Sequence, residues 1–317
     1  MNTLLRKLTL FLLPLVLLLG AALAYFEANK QHWLPLFQEQ ERFLSRTEPV
    51  DTLIIGNSRA RFSIDTDAFD DAINLATPGE SFVETHAHLR FLLSHGKPPA
   101  RLLFPCGMVT FKGMDFRRAY YWSRYVNFWD AGWRNGQPIS YLGEYLQGRL
   151  LPYRRPLGKE LERRFLRVIG EDRNQRPDRD QQRFSELKEA DQNQLIQGHI
   201  SHLEQHGMLD PAAWFGLKDT IRLLKESGTP AICIKFPLTD RYRTALAGLS
   251  ARQGDAQARI DKEIAGSGII RQLNYEALFQ GRDDLFRDHH HLNRWGREAL
   301  MKRLLRDIGR SAGESSL

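Results

Sequence analysis

Five short, nearly continuous apolar runs, each closed by glycine, proline or a polar turn, constrain this chain more than any other feature. They are Asp51-Thr-Leu-Ile-Ile-Gly56, Ile73-Asn-Leu-Ala76 before Thr77-Pro78-Gly79, Arg101 to Cys106, Pro230 to Phe236, and Gly268 to Leu273. Runs of this length without polar alternation read as strands buried on both faces, the signature of a parallel sheet. Amphipathic helices lie between them. Glu80 to His95 places Phe82, His86, Leu89 and Leu93 on one face, with Gly96 beyond its end. Asp210-Pro211 pairs an N-cap with proline at the first helical position, Trp214, Leu217, Ile221 and Leu224 follow, and Gly228 stops the helix. A last helix starts near Asn293 and runs through Ala299, Leu300, Leu304 and Ile308. Strands alternating with helices imply a parallel sheet covered on both faces.

The flanks divide the 317 residues further. Arg6 and Lys7 precede an apolar run from Leu8 to Phe26. Positive charge before such a run reads as an export signal, with the remainder of the chain sent across the membrane. Ala22 and Ala24 would permit cleavage, and the run is also about as long as the shortest bilayer-spanning helices. Residues 1–26 are thus a signal anchor or signal peptide, leaving the domain at the inner membrane facing the periplasm, or free there after cleavage. Residues 27–49 read as a helical stalk with Trp33, Leu34, Leu36, Phe37 and Phe43 as packing points. The domain spans 50–310, with a helical insertion at about 111–208 and a flexible tail at 311–317.

Within the insertion, the aromatic stretch from Phe116 to Trp133 reads as helical core, with stacking on sugar rings or contact with the bilayer as the alternatives, and Arg154 to Arg183 is arginine-rich. The net charge of +7 comes with no basic-region or zinc-finger spacing, so no nucleic-acid partner is expected. Cys106 and Cys233 are the only cysteines, and two strand cysteines are expected to be small buried apolar residues rather than a disulfide.

Three segments would bring polar groups to the carboxyl edge of the sheet, where open parallel sheets bind ligands. Gly56-Asn57-Ser58-Arg59 ends the first strand, so that Ser58 is either an exposed nucleophile or an ordinary N-cap. Asn74-Leu-Ala-Thr-Pro-Gly79 ends the second, and Gly79 either lets backbone approach a ligand or merely turns the chain. Asp288-His-His-His291-Leu292-Asn293 precedes the last helix. There Asp288 could hold one nitrogen of His291 while the other faces a serine, the arrangement that stabilises the imidazolium formed during acyl transfer. Arg59 and Arg61 could meet an acidic substrate or simply be surface charge. The three consecutive histidines, with His86 and His88, raise a metal reading, but no His–Glu–x–x–His spacing supports it. His289 and His290 are expected to be solvated or structural, with no metal and no cofactor.

Taken together these segments resemble the SGNH, or GDSL-like, hydrolase superfamily. Gly56-Asn57-Ser58 matches its first block, with Asn where Asp is common; the Gly79 turn matches the second; Asp288 and His291 match the final D-x-x-H. The resemblance covers Val50 to about Cys106 and Thr229 to about Ile308. It implies a three-layer α/β sandwich around a flavodoxin-like parallel sheet, with Ser58, His291 and Asp288 catalytic. The N–H groups of Ser58 and Gly79 would form the oxyanion hole, and Asn57 and Arg59 would touch substrate. The Gly-Asn-Ser-Arg start, the Asp-x-x-His-Leu-Asn ending and the N-terminal anchor look most like extracytoplasmic members that O-acetylate surface polysaccharides, and like the protein that assists D-alanylation of teichoic acids. The implied partners are the membrane, a carbohydrate polymer and a membrane-bound acyltransferase. One departure stands out: the third strand's loop reads Phe104-Pro-Cys-Gly-Met108, without the family's oxyanion Asn. Loss of such a donor costs about 3–4 kcal/mol where measured. A non-catalytic scaffold is therefore the rival reading, and a free lipase would need an apolar acyl groove that the sequence does not display.

Overall fold

A computed structural model describes residues 2–33, 35–111, 180–207, 209–253 and 255–314. Strands β1 (Thr52–Ile54), β2 (Ala72–Asn74), β3 (Arg101–Pro105), β4 (Ala231–Lys235) and β5 (Ile270–Asn274) form one sheet. Their spatial order is β2-β1-β3-β4-β5, and every pairing is parallel. This is the flavodoxin-like strand order.

Side chains alternate across the sheet, and both faces are covered. Leu53, Ile55, Leu102, Phe104 and Cys233 pack with Phe82, Leu89 and Leu92 of helix α4 (Phe82–His95) and with Leu217, Ile221 and Leu224 of α6 (Pro211–Ser227). Ile54, Leu103 and Ile234 face the other way. They meet Ile196 and Ile200 of α5 (Glu189–His206), Leu246 and Leu249 of α7 (Asp240–Gln253), and Leu300 and Leu304 of α9 (Arg294–Glu314). A strand buried on both sides cannot alternate polar and apolar residues, so the central runs are nearly all apolar, while the partly buried edge strand β5 carries Arg271 and Gln272.

Local signals set the helix starts. Asp210 Oδ1 accepts the Ala212 and Ala213 N–H groups at 2.8 and 3.2 Å, and Gly228 closes α6 with a φ of +63°. The Ser81 N–H donates to Glu84 Oε2 at 2.7 Å, so α4 begins at Phe82, two residues later than the sequence pattern predicts. Helix α8 (Ala256–Ala265) packs beside β5.

Cys106 and Cys233 form a disulfide with a Cα–Cα distance of 5.5 Å, which corrects the expectation of two separate thiols. The reason is register. The Cys106 N–H bonds Ile234 O at 3.1 Å, so Cys106, one residue past β3, lies diagonal to Cys233 on neighbouring β4 and shares its apolar cluster.

Beyond β3 the described chain runs on to Phe111, whose carbonyl accepts the Asp210 N–H at 2.9 Å. The aromatic stretch Phe116 to Trp133 and most of the arginine-rich segment lie at 112–179, outside the described residues. The remainder, 180–207, carries α5 onto the core. At the other terminus, helix α1 (Asn2–Trp33) runs through the apolar N-terminal segment, and α2 (Pro35–Leu44) follows. Phe43 of α2 is buried against Gly96, so this part of the predicted stalk packs on the domain. Leu10, Phe11, Leu17 and Leu18 of α1 are each more than 60% exposed. Among the described residues, no helix is long and apolar enough to cross a membrane.

Candidate active site

The turn after β1 is built around Gly56, whose φ is +110° and where a Cβ would overlap the Pro105 ring. The next residue, Asn57, caps the short helix α3 (Ser58–Ser63) by accepting the Arg59 N–H at 3.1 Å. Asn57 therefore performs the capping role open to Ser58 on sequence grounds, and the Ser58 hydroxyl is left for other partners. The loop after β2 lies alongside: the Thr77 N–H bonds Gly56 O at 2.6 Å. Thr77-Pro78-Gly79-Glu80 then closes with a 3.1 Å bond from Glu80 N–H to Thr77 O. Proline at its second position and Gly79 at φ +80° are what a type II turn demands.

The third segment is held from several directions. Phe286 and Leu292 pair as an antiparallel bridge around the Asp288–His291 turn. Asn293, 1% exposed, donates to Asp284 O at 2.7 Å and accepts the Gly296 N–H at 3.1 Å, starting α9. Within the turn, Asp288 Oδ1 accepts the His290 and His291 N–H groups at 3.0 and 2.9 Å.

These loops bring Ser58, His291 and Asp288 together from positions 233 residues apart in sequence. His291 Nε2 lies 2.8 Å from Ser58 Oγ, and His291 Nδ1 lies 2.8 Å from Asp288 Oδ2. Burial works against the Asp288 carboxylate, but bonds from the His291 ring and the turn N–H groups outweigh it and hold Asp288 at about 2. An ionised Asp288 requires the proton on Nδ1, which leaves the Nε2 lone pair facing the serine hydroxyl. The Phe62 ring stands edge-on to His291 at 6.3 Å, and the Arg287 guanidinium covers Phe62 at 4.7 Å. The arrangement can take a proton from Ser58 as its oxygen attacks an electrophile, and it can stabilise the imidazolium that results.

Arg59 is 3% exposed, so it is not surface charge. Its Nη2 donates to Thr110 Oγ1 at 3.0 Å, and its guanidinium packs on Gly107 in the loop after β3. Asn57 also turns inward, with Nδ2 3.4 Å from Thr110 Oγ1. Both were expected to touch substrate. Instead Asn57 is occupied with the turn itself, while Arg59 lines a cavity of about 480 Å³ with Met108, Leu238, Arg243, Leu246 and Glu276. The loop lacking an asparagine thus has a buried cation beside it, a placement the sequence alone did not disclose.

Of the two readings of His289 and His290, solvated or structural, the packing fits the second: they lie against His199 of α5 and Tyr242 of α7. His86 and His88 lie elsewhere, on α4, with His86 Nδ1 3.0 Å from Thr220 Oγ1 and His88 Nδ1 3.5 Å from Glu80 Oε1.

No family model matches the chain, and no curated protein matches it. Among solved structures, one from Streptococcus pneumonia, named provisionally as a platelet activating factor, aligns with a TM-score of 0.42 and 9% identity. The alignment covers 92% of this chain and 98% of that one. A likeness this low adds nothing to what the strand order already establishes.

Proposed function

We propose that the chain is an SGNH-type serine acyltransferase or esterase acting on a carbohydrate or another cell-envelope polymer. The observation that carries this reading is the continuous contact from Ser58 Oγ to His291 Nε2 at 2.8 Å and from His291 Nδ1 to Asp288 at 2.8 Å. Ser58 attacks an acyl ester and passes its proton to His291, which Asp288 orients. The ester C–O bond breaks as His291 returns that proton to the departing alcohol, leaving an acyl-serine. Neutral His291 then takes a proton from a sugar hydroxyl or water, which attacks the acyl carbon, and gives it back to Ser58 Oγ as the acyl group leaves. Backbone N–H groups of Ser58 and Gly79 serve as oxyanion donors, and no cofactor enters the scheme. The rival, a scaffold for a membrane-bound acyltransferase, gives no reason for a serine to stand at hydrogen-bond distance from an aspartate-oriented imidazole.

The same reading places the domain outside the cytoplasm, attached to or released from the inner membrane. Arg6 and Lys7 before the apolar run, the exposed leucines of α1 and the Cys106–Cys233 disulfide support it, since disulfides persist in oxidising compartments.

A fluorophosphonate probe tests the site. Wild-type protein should be labelled at Ser58, Ser58→Ala should not be, and His291→Ala should label at least about 10³-fold more slowly. Absence of labelling in folded wild-type protein, or equal labelling of Ser58→Ala, would sink the enzymatic reading and leave the scaffold.

A further inference from the structure

Beside the Ser58–His291–Asp288 contact lies a second polar cluster that the proposed acyl chemistry does not use. His199 comes from α5, and His289 and His290 come from the turn that also carries Asp288 and His291. One ligating atom from each of these three imidazoles lies within 4.8 Å of the others. We propose that His199, His289 and His290 bind one divalent transition-metal ion of the Zn²⁺ type, separate from the serine site.

Geometry carries the proposal first. In a tetrahedral zinc site with Zn–N bonds of about 2.0–2.1 Å, neighbouring nitrogens stand about 3.4 Å apart, which fits within this spread. His199 Nδ1 and His289 Nε2 start at 2.8 Å, so ligation asks them to part by roughly half an ångström.

Hydrogen bonding points the same way. His199 Nδ1 has His289 Nε2 at 2.8 Å and Tyr242 Oη at 2.9 Å. A ring nitrogen has one in-plane bonding direction, carrying either a proton or a lone pair, and cannot serve two such partners fully. His290 Nδ1 is buried and has no hydrogen-bond partner among the described residues. Buried polar atoms left this way call for an explanation such as a bound ion.

Chemistry narrows the ion. Three imidazoles without a first-coordination carboxylate suit Zn²⁺, Co²⁺, Ni²⁺ or Cu²⁺ far better than Mg²⁺ or Ca²⁺. Asp288 Oδ1, 3.6 Å from His290 Nδ1, supplies negative charge just outside. Asp288, His290 and His291 also cluster closely enough for ligation. There, however, both His291 nitrogens already meet partners, Asp288 and Ser58. The His199–His289–His290 group takes no part in that contact. An ion there would join α5 to the turn that presents His291.

The test uses untagged full-length protein stripped with chelator. Calorimetric titration with ZnCl₂ should give one ion per chain and a raised melting temperature. His199→Gln and His290→Gln should each weaken binding at least tenfold, while His291→Ala and the exposed-site control His95→Gln should not. X-ray absorption on the Zn²⁺-loaded wild type should report imidazole nitrogens, and this readout does not depend on any variant folding. No binding by the wild type, an oxygen-only shell, unchanged affinity in a folded His199→Gln, or loss of binding in a folded His291→Ala would each overturn the proposal. Labelling of Ser58 is a separate measurement, so failure of either idea leaves the other standing.

Discussion

Glu80 and His88 face each other across 3.5 Å with side chains no more than 2% exposed, while Asp288 and His291 meet at 2.8 Å with 28% and 14% exposed. Both are carboxylate–imidazole pairs within one domain, and they behave oppositely. For Glu80, burial is the largest influence and raises its pKa, outweighing His88 and Thr77 nearby. For Asp288, burial also pushes upward, but the His291 ring and the turn N–H groups prevail and hold it at about 2. Residue type did not decide the direction of either shift. The difference lay with the groups aimed at each carboxylate: Asp288 meets the His291 ring first, and then two N–H groups of the turn it heads. A charged carboxylate such as Asp288 can orient an imidazole for proton transfer, and no such role is assigned to Glu80.

Substitutions can break this contrast. Asp288→Asn should lower acyl transfer about 10²- to 10⁴-fold, because an amide no longer enforces the Nδ1–H tautomer of His291. Glu80→Gln should leave the rate within about threefold, as no chemistry is assigned to it. Steady-state kinetics with an activated acetyl ester would check both, and comparable losses in the two variants would erase the distinction.

The next effect is on stability. Asp288 has a folded pKa below its unfolded value near 3.8, so its contribution is present above that value and is lost as pH falls through about 2. Wild type should therefore exceed Asp288→Asn by about 2 kcal/mol at neutral pH, with the gap closing below pH 4. Urea melts across pH 2–7 would measure it, and a gap independent of pH would mean the carboxylate's charge is not what the turn stabilises.

Glu80 should display the reverse and smaller trend. Its raised folded pKa favours folding at low pH, and that contribution is lost as pH rises through the folded value. Glu80→Gln stays neutral throughout, so its melting temperature should gain on wild type as pH rises from 4 to 7. A steady loss instead would show that Glu80 is charged and well compensated by His88.

Much of the framework was legible because its causes are local. The apolar runs at 52–54, 101–105 and 231–235 announced strands covered on both faces, and Asp210-Pro211 announced the start of α6. Ser58, His291 and Asp288 were legible for a related reason: each ends or follows an element whose place in a parallel sheet can be read from the alternation. The burial of Arg59, expected either to meet substrate or to be surface charge, was not legible because nothing adjacent to it reveals that Thr110 and Gly107 enclose its guanidinium. The disulfide was missed because pairing depends on β3 and β4 being neighbours in a particular register. His199 drew no notice because its partner His289 lies 90 residues away.

By itself, then, the amino-acid sequence determined the strand-and-helix alternation, the turns at Gly56 and Gly79, and the capped helix starts, since these follow from side-chain volume, backbone freedom and hydrogen bonds within a few residues. Tertiary structure alone decided the Cys106–Cys233 bond, the burial of Arg59, the opposite directions in which the pKa values of Glu80 and Asp288 move, and the gathering of His199 with His289 and His290. Each depends on distance and desolvation between groups remote in the chain, and those quantities have no value until the sheet is assembled.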